Sequence, residues 1–342
     1  MSALAAFALP ARLEAHEPPE ARGLERDGVR MLVARRGSGA LDHAHVRDLS
    51  RTLDPGDALV VNTSATLPAA LVARRADGSV LDLHVSTPLP GSEGRLVELR
   101  SRGATFDGGR AGEVLALPGG GSARLVAPYL SGSRLWVTEL CLPDPLEAYL
   151  TRHGRPIHYR HLRGAWPLQA FQTVYATEPG SAEMPSAGRP LSERVITALV
   201  ARGIAVAPIV LHAGVSSLED GETPGPEWFR VPAATARLVE VTRRCGGRVI
   251  AVGTTVVRAL ESVGGPGGAV APAEGFTRVV VTPERGVRVV DGLLTGWHEP
   301  ESSHLRLLQA VGGPDLIERS YAAALEAGYL WHEFGDVHLI LP

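Results

Sequence analysis

The chain contains no lysine, since all 34 of its basic residues are arginine. Enzyme mechanisms that need a reactive side-chain amine, such as Schiff-base catalysis and pyridoxal phosphate chemistry, are therefore excluded. A G-x-x-x-x-G-K-[ST] phosphate loop is absent for the same reason, and no G-x-G-x-x-G fingerprint is present either. A generic nucleotide-binding oxidoreductase is accordingly the least favoured class.

Cysteine is scarce as well. Cys141 and Cys245 lie far apart and belong to no C-x-x-C pair, which argues against a disulfide framework and a thiolate metal site. No stretch approaches 18 apolar residues, and the N-terminus lacks a basic flank followed by a long apolar core. We therefore expect a cytoplasmic protein without a membrane span.

Neither sign of charge is in large excess, because the formal net charge is -3 at pH 7. Such a chain has no global attraction to nucleic acid, so any contact with RNA needs a local basic face. At 342 residues and 44% hydrophobic, the chain is long enough for one large core or two domains. The oligomeric state stays open, with a monomer favoured.

The most informative stretch is Arg248 to Glu261, which reads R-V-I-A-V-G-T-T-V-V-R-A-L-E. Val249 to Val252 is an apolar run without polar alternation, which is typical of a strand buried on both faces of a parallel sheet. Gly253 breaks the run, and Thr254 or Thr255 is expected to cap the helix that follows. Ligands of open α/β sheets bind at such strand ends, although the same turn is common as a plain connection.

Other predicted strands also end in polar residues. These polar residues are Asn62 after the predicted strand 58–61, His212 after the predicted strand 204–211, and His298 after the predicted strand 293–295. If these strands lie beside 249–252, their polar ends meet on one rim of the sheet. A lone histidine at a strand end is about as often structural as catalytic, so the role of His212 stays open.

Between residues 72 and 164 the chain changes to short alternating runs separated by glycine-rich turns. This pattern predicts a small antiparallel β-barrel or sandwich, residues 72–164, inserted into an α/β body formed by 1–71 and 165–342. The segments 276–282 and 287–290 are predicted to form a hairpin. Helical spacing of apolar residues predicts helices over 192–202, 233–244 and 317–327.

Several segments, taken in this order, resemble one known family. Ala251 to Glu261 is similar to the pattern A-V-G-T-T-x-x-R-A-L-E, and Phe171 to Ala176 is similar to Y-Q-T-V-Y-A. Further similar positions are Pro55 to Asp57 with the strand to Asn62, Pro185 with Ala187 and Gly188, Leu211 and His212 with Gly214, Thr295 with His298, Pro300 and Ser302, and Gly335 with Asp336. Together they resemble the S-adenosylmethionine:tRNA ribosyltransferase-isomerase family of queuosine biosynthesis over nearly the whole chain.

This resemblance implies an α/β fold, with a discontinuous barrel-like α/β main domain and an inserted small antiparallel β-barrel. It implies that S-adenosylmethionine donates a ribosyl group to 7-aminomethyl-7-deazaguanine in tRNA, giving epoxyqueuosine, adenine and methionine. No cofactor beyond the S-adenosylmethionine substrate is implied, and no metal. A carbanion at C5′ beside the sulfonium requires a base, and the loss of adenine requires an acid near the purine.

The strand ends and the resemblance together give the candidate site residues. His298 is the first candidate for the base or acid, because it stands in the T-x-x-H-x-P context, and His212 is the second. Glu227 is expected to hold a ribose hydroxyl or a cation, and Arg258 to pair with an anion. The predicted substrate-binding residues are Asn62, Gln172, Tyr175, Ser186, Gly188, Thr254, Thr255, Arg258 and Trp297. The Trp297 ring is expected either to face the sulfonium or, more commonly for such a residue, to lie in the core.

The chain departs from the family pattern where basic groups are expected. Ala65 and Ala70 stand in place of two arginines, Pro190 stands in place of a histidine, and the segment around Glu227 lacks two further histidines. These groups are the ones expected to hold RNA phosphate and a modified base. Two alternatives therefore stay open: ribosyl transfer to a small-molecule acceptor, and a non-catalytic binding protein with the same fold.

Overall fold

The structure, a computed structural model, describes residues 7–130, 134–215, 225–300 and 302–342. Its strands in these ranges are β1 (Arg30–Arg35), β2 (Leu41–His45), β3 (Ala58–Asn62), β4 (Ser64–Thr66), β5 (Ala70–Arg74), β6 (Val80–Pro88), β7 (Arg95–Ser101), β8 (Ala104–Thr105), β9 (Val114–Ala116), β10 (Ser122–Pro128), β11 (Leu135–Cys141), β12 (Glu178–Ser181), β13 (Ala205–Leu211), β14 (Glu227–Val231), β15 (Val249–Val252), β16 (Ala273–Thr277), β17 (Gly292–Gly296) and β18 (Val337–Leu341). Its α-helices are α1 (Leu49–Thr52), α2 (Leu146–His153), α3 (Glu193–Ala201), α4 (Ala233–Arg244), α5 (Thr254–Val263), α6 (His304–Gly312) and α7 (Pro314–Glu326). Across the described ranges, none of these helices is both long and apolar enough to cross a membrane.

The main domain is built on a nine-stranded mixed sheet with the order β16-β14-β13-β3-β15-β17-β18-β1-β2 among the described residues. Its four central strands, β13, β3, β15 and β17, run parallel to one another. Every residue of β3 and β15 is buried, because helices cover both faces of such a sheet. The predicted buried strand over 249–252 and its parallel neighbours are therefore confirmed.

The second sheet closes into a small barrel. Strands β11, β10, β9, β5, β6 and β7 pair in that order, and β11 pairs back with β7 to complete a ring of antiparallel neighbours, to which β8 adds at β7. The interior is filled by apolar side chains that include Leu71, Leu83, Val97 and Leu125, as expected for a barrel of this size. The predicted α/β fold class with an inserted antiparallel barrel is confirmed, while the domain boundaries 1–71, 72–164 and 165–342 stay a prediction.

The turn between β15 and α5 differs from the predicted threonine cap. Gly253 occupies the cap position with a φ of 91°, and no side chain caps the helix. That backbone conformation suits glycine because L residues rarely adopt it. Thr254 and Thr255 lie inside the first helical turn, and the Val256 and Val257 amides donate to the Gly253 carbonyl instead.

The hairpin predicted from 276–282 and 287–290 is wrong. β16 pairs antiparallel with β14, and 287–290 forms no strand. The physical reason is the buried carboxylate of Glu261, whose Oε1 accepts hydrogen bonds from the amides of Arg288 and Val289, both at 2.9 Å. These amides would otherwise have been free for a strand ladder.

We predict that Glu261→Ala destabilises the fold strongly, because Glu261 is fully buried and also pairs with Arg285 at 3.0 Å. Removing one partner of a buried ion pair costs about 3–5 kcal/mol. Glu284→Ala, next to Arg285 in the chain, is the matched control, since this side chain is 73% exposed and should change stability by less than about 1 kcal/mol. Urea unfolding at pH 7 measures both; equal losses would contradict the prediction.

Candidate active site

The carboxyl ends of the four central parallel strands meet at one edge of the sheet. Asn62, at the end of β3, is 2% exposed and is fastened to the end of β13. Its side-chain Nδ2 donates to the Leu211 carbonyl at 2.8 Å, and its Oδ1 accepts from the Leu211 amide at 3.0 Å. Nδ2 also approaches the Thr255 hydroxyl at 3.4 Å. The predicted adjacency of these strand ends is confirmed, with Asn62 as the link between three of them.

Glu227 and Arg258 form an ion pair beside this edge. Glu227 begins β14, and its Oε1 accepts a hydrogen bond from the Gly214 amide at 3.1 Å. Arg258, in the second turn of α5, donates through Nε to the Val279 carbonyl at 3.1 Å. Its Nη2 is buried and has no hydrogen-bond partner among the described residues. The site therefore holds one guanidinium donor that is free to bind an anionic group.

His298 and His304 stack face to face, with ring centroids 4.6 Å apart and an interplanar angle of 17°. His298 Nε2 shares a hydrogen bond of 3.0 Å with the Thr295 hydroxyl at the end of β17. Its backbone is fixed on both sides, because its amide donates to the Tyr321 hydroxyl at 3.3 Å and its carbonyl accepts from the Trp331 indole at 3.1 Å. The ring is therefore held in one position.

Both imidazoles are kept neutral by their surroundings. Burial lowers the pKa of His298 well below its ordinary value, and the neighbouring histidines His304, His338 and His332 lower it further. Burial, together with the positive charge of Arg258, lowers the pKa of His304 to about 4. Neutral imidazoles carry a free lone pair at physiological pH and can accept a proton. The charge of Arg258 therefore acts on His304 through space.

His212 is held differently. Its Nδ1 shares a hydrogen bond of 2.8 Å with the Ser64 hydroxyl, which in turn contacts the Ser181 hydroxyl at 2.7 Å. The ring stacks on Trp228 at 5.2 Å, and burial lowers the pKa of His212. Gly180 is required beside it, because a Cβ there would lie 2.3 Å from the ring. Nδ1 of His212 is thus engaged in a hydrogen bond within the protein, and one face of its ring is covered by Trp228.

The residues predicted to bind substrate between positions 172 and 188 make contacts mainly within the protein. The Gln172 side-chain amide makes two hydrogen bonds with the Thr66 backbone. Its Oε1 accepts from the Thr66 amide at 2.9 Å, and its Nε2 donates to the Thr66 carbonyl at 2.8 Å. The Tyr175 hydroxyl occupies the space over Gly188, where a Cβ would lie 2.0 Å from it. The short turn Ser186–Gly188 lies against the Gly253 turn, where a Cβ would lie 3.4 Å from Ala187. The turn that contains Ser186 is therefore beside the Gly253 turn.

Trp297 lies in the core rather than at a binding surface. It is 2% exposed, and its ring stacks on His338 at 4.7 Å and 8°. Tyr321 and Tyr329 pack edge-on against it. This placement disfavours the predicted contact with a sulfonium, because the aromatic neighbours occupy the space around the ring; the alternative of a core aromatic fits instead.

His304, Ser64 and Ser181 contribute to the site but were missed by sequence reasoning. His304 follows His298 by six residues, which matches no short motif, and the two serines meet His212 through the parallel pairing of β4 and β12. The departure from the family pattern before Glu227 falls partly on residues 222–224, outside the described residues. A cavity of about 310 Å³ between the barrel and the 155–166 connection is lined by none of the predicted site residues.

The fold and the strand-end edge define a class: an α/β protein with an inserted barrel and a polar site of neutral histidines, a free guanidinium donor and a carboxylate. Comparison with known proteins gives the family. The profile described as queuosine biosynthesis protein matches residues 4–340. The chain therefore belongs to the queuosine biosynthesis protein family.

Individual relatives agree with this assignment. The S-adenosylmethionine:tRNA ribosyltransferase-isomerase of Anaeromyxobacter dehalogenans is 36% identical over 98% of this chain and 97% of its own length. The enzyme of the same name from Symbiobacterium thermophilum is 34% identical over 98% of both chains. The crystal structure of S-adenosylmethionine tRNA ribosyltransferase from Thermotoga maritima aligns with a TM-score of 0.55 at 27% identity, covering 99% of this chain and 100% of that chain.

We predict that stability falls as the pH falls from 7.5 to 5. The folded-state pKa of His304 is about 4, below the value of about 6.5 in an unfolded chain. The unfolded state therefore binds more protons between these values, so stability is fully present above about pH 6.5 and is lost on acidification. His304→Gln should reduce the loss between pH 7.5 and pH 5 by about 2 kcal/mol, as measured by urea unfolding.

The matched control for this prediction is His45→Gln, which removes an exposed histidine on β2 and should leave the pH dependence unchanged. Most carboxyl groups titrate below this pH window. An unchanged pH dependence in His304→Gln would show that the His304 environment does not carry the effect.

Proposed function

We propose that this chain is an S-adenosylmethionine:tRNA ribosyltransferase-isomerase. It transfers and isomerises the ribosyl part of S-adenosylmethionine onto 7-aminomethyl-7-deazaguanine in tRNA, forming epoxyqueuosine and releasing adenine and methionine. The observation that carries the proposal is the match to relatives of that name over 98% of the chain at 34–36% identity. The strand-end site supports it with groups suited to proton transfer and anion binding.

The first chemical step requires a neutral base. The positive sulfur of S-adenosylmethionine acidifies the adjacent C5′ protons, so a positioned base can generate a carbanion there. We assign this role to His298, because its ring is held at the end of β17 by the hydrogen bond with Thr295. Its lowered pKa keeps the imidazole unprotonated, although the same shift makes it a weaker base. A neutral base also lies next to a cationic substrate without charge repulsion. After it has accepted a proton, the same imidazole can return it as the acid that the departing adenine requires.

The Glu227–Arg258 pair supplies the groups of opposite charge. We propose that the unpaired Arg258 Nη2 binds the carboxylate of the methionine portion, since guanidinium donors favour that geometry. Each Glu227 oxygen already accepts one hydrogen bond, Oε1 from the Gly214 amide and Oε2 from Arg258, and each keeps a second lone pair for a ribose hydroxyl. Thr255 lies in the first turn of α5, where the helix dipole favours electronegative groups, and the Asn62 side chain approaches it from the end of β3.

A small-molecule acceptor remains the second candidate, and one structural observation favours it. Ala70 and Pro190, which stand where basic groups are expected, are both buried. These positions therefore present no charge to an RNA backbone. The proposed tRNA acceptor needs its phosphate contacts from other arginines, and the reaction itself is the same for either acceptor.

We predict that His298→Asn reduces adenine release from S-adenosylmethionine by about 10²–10⁴-fold, the usual contribution of a general acid or base. Substrate binding should change little, because asparagine keeps a polar group near Thr295. His45→Asn, an exposed change on β2, should retain full activity. Chromatographic measurement of adenine under saturating substrate tests both variants, and undiminished release in His298→Asn would remove this assignment while leaving the reaction class intact.

We further predict that adenine release by the wild-type chain requires tRNA that carries the modified base. Binding of that tRNA should weaken by about 10-fold or more between 50 and 200 mM salt, because phosphate contacts release counterions. Release of adenine without tRNA would favour the small-molecule acceptor. Binding of S-adenosylmethionine without any adenine release would favour a non-catalytic relative.

The cellular location and the oligomeric state of the protein stay predictions. We expect a cytoplasmic monomer that uses S-adenosylmethionine as substrate without a further cofactor in the transfer reaction. Size-exclusion chromatography with light scattering measures the oligomeric state directly.

A further inference from the structure

Three side chains from distant parts of the chain meet beside the site just described. His161 lies in the connection that follows α2, and His332 and Glu333 lie in the loop before β18. One nitrogen from each histidine and one oxygen of the carboxylate all lie within 4.8 Å of one another. The two imidazole rings stack at 4.0 Å with an interplanar angle of 14°.

The polar atoms of this cluster are buried but lack hydrogen-bond partners among the described residues. They are His161 Nε2, His332 Nε2 and Glu333 Oε2. The His161 and Glu333 atoms lie 2.9 Å apart, without the alignment of a hydrogen bond. Buried polar atoms are nearly always satisfied in folded proteins. Two of these atoms already approach each other as an ion pair, and His332 Nε2 beside them has no hydrogen-bond partner among the described residues, so the three atoms could share one partner.

The backbone holds the two segments together independently of these side chains. Residues 13–16 run between them: the Trp331 amide donates to the Leu13 carbonyl at 2.7 Å, and the Arg163 amide donates to the His16 carbonyl at 2.9 Å. The cluster is therefore assembled by the fold, before any ligand binds.

His332 also has a left-handed backbone conformation, with a φ of 73°. This conformation is uncommon for residues other than glycine and often marks a functional constraint. In an extended segment, adjacent side chains point to opposite sides. The left-handed turn at His332 instead allows the side chains of His332 and Glu333 to reach the same point.

We propose that His161, His332 and Glu333 form a binding site for one divalent transition-metal ion, with zinc as the preferred ion. Two imidazole nitrogens and one carboxylate oxygen are a donor set that suits zinc, whereas magnesium and calcium prefer oxygen donors alone. Tetrahedral zinc with bonds of 2.0–2.1 Å places its ligand atoms roughly 3.3 Å apart. Reaching this arrangement requires one imidazole to rotate out of the stack, because the lone pairs of two nearly parallel rings 4.0 Å apart do not meet at one point.

The fourth position is next to one further carboxylate. Glu14 Oε1 lies 3.9 Å from His332 Nε2, so Glu14 or a water molecule completes the coordination, while Glu299 lies 3.9 Å from the other ring nitrogen, Nδ1. Glu299 follows His298 directly, and Trp331 donates to the His298 carbonyl. The ion thus connects the segment after α2 with the loop before β18, next to His298. This role is structural and is independent of the proposed reaction.

The test is metal binding by the full chain after removal of metal with a chelator. We expect the chain to bind one equivalent of Zn²⁺, with a rise in Tm of about 4 °C when free Zn²⁺ exceeds Kd by about 100-fold. Co²⁺ in the same site should give the visible absorption bands of tetrahedral coordination. Absence of binding at about 100 μM Zn²⁺ would overturn the proposal and leave a plain His161–Glu333 ion pair.

Variants show whether any bound ion occupies this cluster. His161→Gln and Glu333→Gln should each weaken Zn²⁺ binding by at least about 10-fold, since each removes one ligand. His158→Gln is the matched control, because this histidine is exposed on the same connection and should bind Zn²⁺ as the wild type does. Equal affinity in all three variants would place the ion elsewhere and overturn the proposal. If His161→Gln fails to fold, Glu333→Gln decides alone.

Discussion

The candidate active site depends on the register of four parallel strands. Val60 pairs with Ala207 on one side and with Ala251 on the other, and Ala251 in turn pairs with Leu293. A slip of one residue in any of these pairings would turn every side chain of that strand to the opposite face. Burial of both faces makes such a slip costly, because side chains of different size would exchange places in a closely packed interior. The hydrogen bonds from Asn62 to the Leu211 backbone fix the same register at the end that matters for the site.

Burial and charge act in the same direction on the histidines of this site. Desolvation disfavours the imidazolium of His304, and the nearby Arg258 disfavours it again. The cationic form of such a histidine is disfavoured, so its ring stays neutral. A neutral ring does not repel a cationic substrate. Glu227 balances the charge of Arg258, but one guanidinium nitrogen is left without a hydrogen-bond partner among the described residues. The site thus combines neutral imidazoles with a directed hydrogen-bond donor.

Local sequence patterns predicted the local structure well, and contacts between distant residues poorly. The α4 helix begins and ends as its apolar spacing predicts, and β15 is the buried strand that its apolar run indicates. The false hairpin near 287–290 arose because the acceptor for those amides, Glu261, lies on a different element. The His161–His332 cluster was equally invisible, since about half the chain separates its members. Its pairing depends on the backbone of residues 13–16, which carries no pattern for it.

The position of His298 is set by the aromatic core rather than by the site itself. Its ring makes a hydrogen bond with Thr295, but its backbone is held by Tyr321 and Trp331, both of which are buried in the core. Trp297, which directly precedes His298, packs among the same residues and cannot move without disturbing them. Interiors are packed as densely as organic crystals, so this anchoring tolerates little displacement. A catalytic imidazole must be placed within a fraction of an ångström to transfer a proton efficiently. The buried Trp297 therefore contributes to the site as a rigid support, although its ring does not face a substrate.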